Sequence, residues 1–291
     1  MFRTRGTTLL LILGLMAAMA VPGTALATHV GCGSVITTNT TLDSDIGPCP
    51  GDGLIVAAND VVLDLNGHTI TGMGNGAAVR AARVTGVVIE NGAVTGFHTG
   101  VQLDEADGNA VRAITATQNV RGINVSGSDG NQIVLNTLTN NGGDAIRLGL
   151  SSGNSVRRNV VTGNVFGIGI ADGSTDNLVS DNQVSSSSAF GIALFSGATE
   201  NRLIGNTVRL TSAGDGISVA ADSPGSKIIR NTANQNADDG IDVEHADTVI
   251  AGNTANDNGD LGIEAVPGVT GGGNSATGNG NPLQCVGVSC R

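Results

Sequence analysis

Apolar residues in this chain come in short alternating runs, not in helical stripes. In residues 154–176, NSVRRNVVTGNVFGIGIADGSTD, the side chains of Val156, Val161, Ile168 and Ile170 fall on one side of such runs, and Arg157, Thr162 and Gly169 on the other. Runs this short with period two read as strands, because a helix repeats its apolar positions every three to four residues over a longer stretch. The pattern recurs at Gly122-Ile123, Ala145-Ile146, Gly167-Ile168, Gly191-Ile192, Gly216-Ile217, Gly240-Ile241 and Gly262-Ile263. Asparagine keeps the same beat. Asn136, Asn159, Asn182, Asn206, Asn231 and Asn253 follow one another at steps of 22 to 25 residues. A second column, Asn109, Asn131, Asn154, Asn177 and Asn201, is continued by Ser226 and Thr248.

One unit therefore reads N-x-[apolar]-x-x-N-x-[apolar]-x-x-N-x-x-G-I-x-[apolar], followed by a variable loop. Three strands per unit, each stacked about 4.8 Å from its counterpart in the next unit, predict an all-β solenoid: a single-stranded parallel β-helix of about ten coils of 22–25 residues, spanning residues 54–279. Asparagines in register pass amide hydrogen bonds from coil to coil. Asparagine also tolerates the left-handed backbone of a tight turn, and the glycine before each isoleucine is expected to serve a similar corner. The asparagine columns are thus assigned to structure. An uncapped coil would expose a strand edge and the floor of the core, so residues 28–53 and 280–291 are expected to cap the two ends. Four cysteines allow three pairings. The local one, Cys32–Cys49 with Cys285–Cys290, suits a stack whose ends never meet.

The repeat resembles that of the secreted parallel β-helix proteins: the pectate-lyase-like proteins, the alginate C5-epimerases and the NosD-type periplasmic copper proteins. Val61-Val62-Leu63-Asp64-Leu65-Asn66-Gly67-His68-Thr69-Ile70 is similar to the first full coil of many of them. The resemblance, with the strong bias of parallel crossovers, implies a right-handed helix. It also implies an architecture shared by polysaccharide lyases, epimerases, glycoside hydrolases, adhesins and copper-site maturation proteins, among which fold alone does not choose.

Composition narrows the functional classes. Residues 1–27 read as a secretory signal: Arg3 and Arg5, an uncharged apolar run from Leu9 to Val21, then Ala25-Leu26-Ala27 before the cut. The expected location is secreted, extracellular or periplasmic, with no membrane span in the mature chain. Removing the signal takes two of 14 basic residues and none of 25 acidic ones, so the mature chain is more acidic than the −11 of the full sequence. That excess disfavours nucleic acid, which is held mainly by Lys and Arg on phosphate. There is no Trp and no Tyr, which removes the usual sugar-stacking rings. Phe166, Phe190 and Phe195 remain as a small strip.

The strand beginning at Gly-Ile is the candidate binding sheet. Its outward row runs from Gln102 through Arg147, Gly169, Ala193 and Ser218 to Asp242 and Glu264. Acidic residues collect at the C-terminal end: Asp242 and Glu264 on neighbouring coils, Glu244 two residues along, and Asp239, Asp215, Asp238, Asp260 and His245 around them. Crowded carboxylates raise one another's pKa, so Asp239, Asp242, Glu244 and Glu264 are candidates for acid–base chemistry or for oxygen ligation of a divalent cation such as Ca²⁺. Asp239-Gly240-Ile241-Asp242 resembles the aspartate motif of polygalacturonase-type hydrolases, without that family's paired aspartates, Gly-His-Gly or Arg-Ile-Lys. A uronate lyase or epimerase needs a cation on the sugar acid, and Arg147 with Arg121 is the candidate clamp; the Asp-Pro-His motif of the epimerases is absent. Copper delivery would fall to His29, His68, His98 and His245, which are scattered, or to a Thr28-His29 amino terminus. The leading expectation is a non-catalytic carbohydrate-binding or structural protein of the cell surface or exterior, with a polysaccharide or surface glycan as partner.

Overall fold

The computed structural model describes residues 29–291; the expected signal segment, residues 1–27, and Thr28 lie outside the described residues. Every pairing between named strands is parallel, and no helix occurs among the described residues. The Gly-Ile strands build a twelve-stranded sheet, from Ser34–Ile36 at one end to Cys285–Val286 at the other, which makes about eleven turns. The remaining strands, such as Ser155–Arg157 and Val160–Thr162 in the coil quoted above, stack on their own counterparts one coil away. In the early coils two such short strands run together, as in Val88–Thr95 and Ala110–Thr117.

The core is one narrow column of small and branched side chains. Val156, Val161, Ile168 and Ile170 are fully buried, as are their counterparts Val179, Ile192, Leu203 and Ile217 in the next two coils. Such stacking gives each strand a partner above and below, so no large aromatic core is required. Among the described residues no helix is long and apolar enough to cross a membrane.

The asparagine columns are buried ladders. Asn159 Oδ1 accepts from the backbone N–H and the Nδ2 of Asn136, while its Nδ2 donates to Ile133 O and to Asn182 Oδ1. A third ladder runs through Asn119, Asn141 and Asn164 and resumes at Asn236, Asn258 and Asn279. Two expectations about the corners are corrected. The left-handed residue is the one before the asparagine, as at Arg158 (φ 55°), Asp181 (φ 55°) and Arg230 (φ 54°); the asparagine satisfies the groups that this turn takes out of the strand ladder. The glycine of Gly-Ile is needed for room, not for a left-handed bend. A Cβ on Gly191 would stand 2.5 Å from Gly216 O and collide with a Val208 methyl.

Both cysteine pairs are local disulfides, with Cα–Cα distances of 5.4 Å for Cys32–Cys49 and 6.2 Å for Cys285–Cys290.

Candidate functional site

The outward row of the Gly-Ile sheet is in register as expected: Gln102, Asn124, Arg147, Gly169 and Ala193 are successive partners, then Ser218, Asp242 and Glu264. Three residues earlier in each coil, where the chain enters the sheet, stand Arg121, Asp144, Phe166, Phe190, Asp215 and Asp239. Together these columns divide the face into three zones.

The first zone is charged but internally paired. Arg80 Nη2 lies 3.4 Å from Asp104 Oδ2, and Arg121 Nε 3.7 Å from Asp144 Oδ2. Arg147 Nη2 donates to Asp172 Oδ2 at 2.7 Å, with its Nη1 3.8 Å from Asp144. The two arginines expected to clamp a ligand carboxylate are brought together, yet each already faces a carboxylate of the chain. Asp144 is 7% exposed, and its Oδ1 has no hydrogen-bond partner. Burial pushes its pKa up, against the pull of Arg147 and Arg121. Asp172 was not singled out by the sequence, because it stands in a loop outside the register count.

The second zone is aromatic. The Phe166 and Phe190 rings stack with centroids 6.1 Å apart, and the Arg147 guanidinium carbon lies 5.5 Å from the Phe195 ring centroid, a cation–π distance. With Ala193, Leu194, Ser218 and Ala220 the three rings line a cleft of about 290 Å³. Three of the four phenylalanines among the described residues thus gather outside the core; the fourth, Phe97, is buried.

The third zone is acidic. Carboxylate oxygens of Asp239, Asp242 and Glu264 lie within 4.8 Å of one another, as do those of Asp215, Asp238 and Asp239. Each set offers the hard oxygen ligands that a divalent cation takes. Asp215 and Asp239 are 7% and 5% exposed. Burial first, then the neighbouring carboxylates, raise Asp215 to about 6 and Asp239 and Asp242 to about 7. Glu244 belongs to neither set; it is exposed, and its Oε2 accepts from Ala221 N at 3.3 Å. The burial of the two aspartates has a local cause. Asp215 Oδ1 accepts the backbone N–H of Asp239, and Asp239 Oδ1 accepts that of Leu261. They form a short ladder in which each side chain serves the following coil, the reverse of the asparagine ladders. None of His29, His68, His98 and His245 joins a group of three metal ligands among the described residues.

A family model described as the right handed beta helix region matches residues 52–208, more than half of the chain. The chain belongs to the right-handed β-helix family. A second model, described as periplasmic copper-binding protein (NosD), matches residues 172–280. Solved structures agree with the β-helix family assignment. The periplasmic alginate epimerase AlgG aligns with a TM-score of 0.56 at 14% identity, covering 84% of this chain and 77% of that one. The Dettilon tailspike protein aligns at 0.65 and 18%, covering 87% and 59%. The catalytic unit of a thermostable GH87 α-1,3-glucanase from Streptomyces thermodiastaticus aligns at 0.58 and 15%, covering 87% and 60%. At these identities the likeness is one of fold. No curated protein matches.

Proposed function

We propose that this chain is an extracytoplasmic, non-catalytic glycan-binding β-helix whose ligand lies along the outward face of the Gly-Ile sheet, over Phe166, Phe190 and Phe195. One observation carries this reading. A chain with no Trp and no Tyr puts three of its few phenylalanines into a single cleft on that face, where an apolar surface outside the core marks a contact for a ligand. Several β-helix proteins of similar fold are named for acting on polysaccharides, which favours an extended glycan. Catalysis is disfavoured because the outward arginines are paired and because Asp215 and Asp239 each hold a backbone N–H of the next coil. The copper reading has the NosD match in its favour but no histidine cluster. The carboxylate end is a place for a weakly held divalent cation, calcium most simply.

The test is a glycan array with the wild type and a Phe166→Ala/Phe190→Ala variant. Binding that the variant loses by at least tenfold supports the reading. Ultraviolet-absorbing unsaturated sugars, or an epimerised proton NMR spectrum, after incubation with uronate polymers and calcium would refute the non-catalytic assignment.

A further inference from the structure

The notch over Gly169 holds a group the fold leaves unsatisfied. A Cβ on Gly169 would stand 2.9 Å from Asp144 Oδ1 and 3.7 Å from the edge of the Phe195 ring. The carboxylate oxygen and the ring therefore share the space that the glycine leaves free, on the outward row between the paired arginines and the aromatic cleft. Asp144 is more than nine-tenths buried, and its Oδ1 receives no hydrogen bond. A carboxylate oxygen in that position stays costly until a donor reaches it. Gly169 is buried and Phe195 mostly so, so a ligand hydroxyl reaches this oxygen only if the Phe195 ring turns aside.

Charge decides which donors qualify. Two arginines, Arg121 and Arg147, face two carboxylates, Asp144 and Asp172, at 2.7 to 3.8 Å. No positive charge is left over for a ligand. A uronate brings a third carboxylate, which donates nothing to Asp144 Oδ1 and must displace an existing ion pair. A neutral sugar brings hydroxyl donors and an apolar face for the phenylalanines.

Resting on the glycan-binding reading, we propose that this notch is a subsite selective for neutral sugars, with Asp144 as the residue that selects: its Oδ1 takes a ligand hydroxyl, and its charge holds Arg121 and Arg147 away from ligand carboxylates.

The experiment compares neutral oligosaccharides (gluco- and manno-configured hexasaccharides) with oligouronates of equal length, by calorimetry on the wild type, Asp144→Asn and Asp144→Ala. The wild type should prefer the neutral series by at least tenfold. Asp144→Ala should lose about tenfold on the neutral ligand. Asp144→Asn removes the carboxylate that faces Arg121 and leaves Arg147 on Asp172, so one positive charge becomes available and the affinity for oligouronates should rise about tenfold, a gain that misfolding cannot produce. Equal binding of both series by the wild type, or a neutral-to-uronate ratio unmoved by Asp144→Asn, overturns the subsite while leaving the glycan-binding reading in place. Binding of neither series, together with silence across the glycan array, overturns both.

Discussion

Asp215→Asn tests whether the acidic end is held against its own charge. Asp215 is 7% exposed, and its Oδ1 accepts the Asp239 N–H at 3.2 Å; asparagine keeps that oxygen and removes the charge. The folded carboxyl titrates at about 6 against a usual 3.8, chiefly through burial. Between those values the folded chain keeps a proton that the unfolded chain has lost. Stability therefore falls as pH rises from about 4 through 6, and the loss is complete above the folded value. A shift of about two units corresponds to roughly 3 kcal/mol. The asparagine variant has no such loss. It should match the wild type at pH 4 and exceed it by about 3 kcal/mol at pH 8, or roughly 6–12 °C in melting temperature for a domain of this size. Its neighbours act in the same direction, because the Asp215 charge helps to raise Asp239 and Asp242. The assay is thermal melting by circular dichroism at pH 4, 6 and 8, in low salt with a chelator present. An equal difference at pH 4 and pH 8, or a variant weaker than wild type at pH 8, would refute the reasoning.

Millimolar calcium should raise the melting temperature of the wild type at pH 8, and Asp242→Asn with Glu264→Gln should abolish the shift; if calcium moves neither protein, or both equally, the carboxylates hold no cation. Asn182→Ala removes buried bonds to Asn159, Val156 and Asn206 and should cost about 3 kcal/mol or more, read by denaturant unfolding; a loss below about 1 kcal/mol would deny the ladder its structural role. Ser226→Asn should raise the melting temperature, since the Ser226 hydroxyl is buried without a partner where the second asparagine column breaks off after Asn201; an unchanged or lower value would mean that the site cannot take the larger side chain.

The fold was legible because it repeats. Each coil states the same inward positions, so the alternation of Val156, Val161, Ile168 and Ile170 could be checked against every neighbour, and the register that sets Asp242 beside Glu264 follows from counting alone. What counting cannot give is anything that leans between coils or comes from the loops. Asp172 reaches Arg147 from a loop of its own length, and the Phe195 ring edge comes over Gly169 on the preceding coil. The same limit hid the work of Asp215 and Asp239: by position they resemble Phe166 and Phe190, and only the direction of their hydrogen bonds marks them as a reversed ladder. The candidate site is therefore built from departures from the repeat. A strict repeat makes every coil alike and so cannot hold a ligand at one place. The face becomes specific where Gly169 leaves a gap, where aromatic side chains replace small ones, and where Asp144 is buried without a partner. Those are also the positions at which the lattice gives up stability, which is where a solenoid that binds something is expected to differ from one that only stacks.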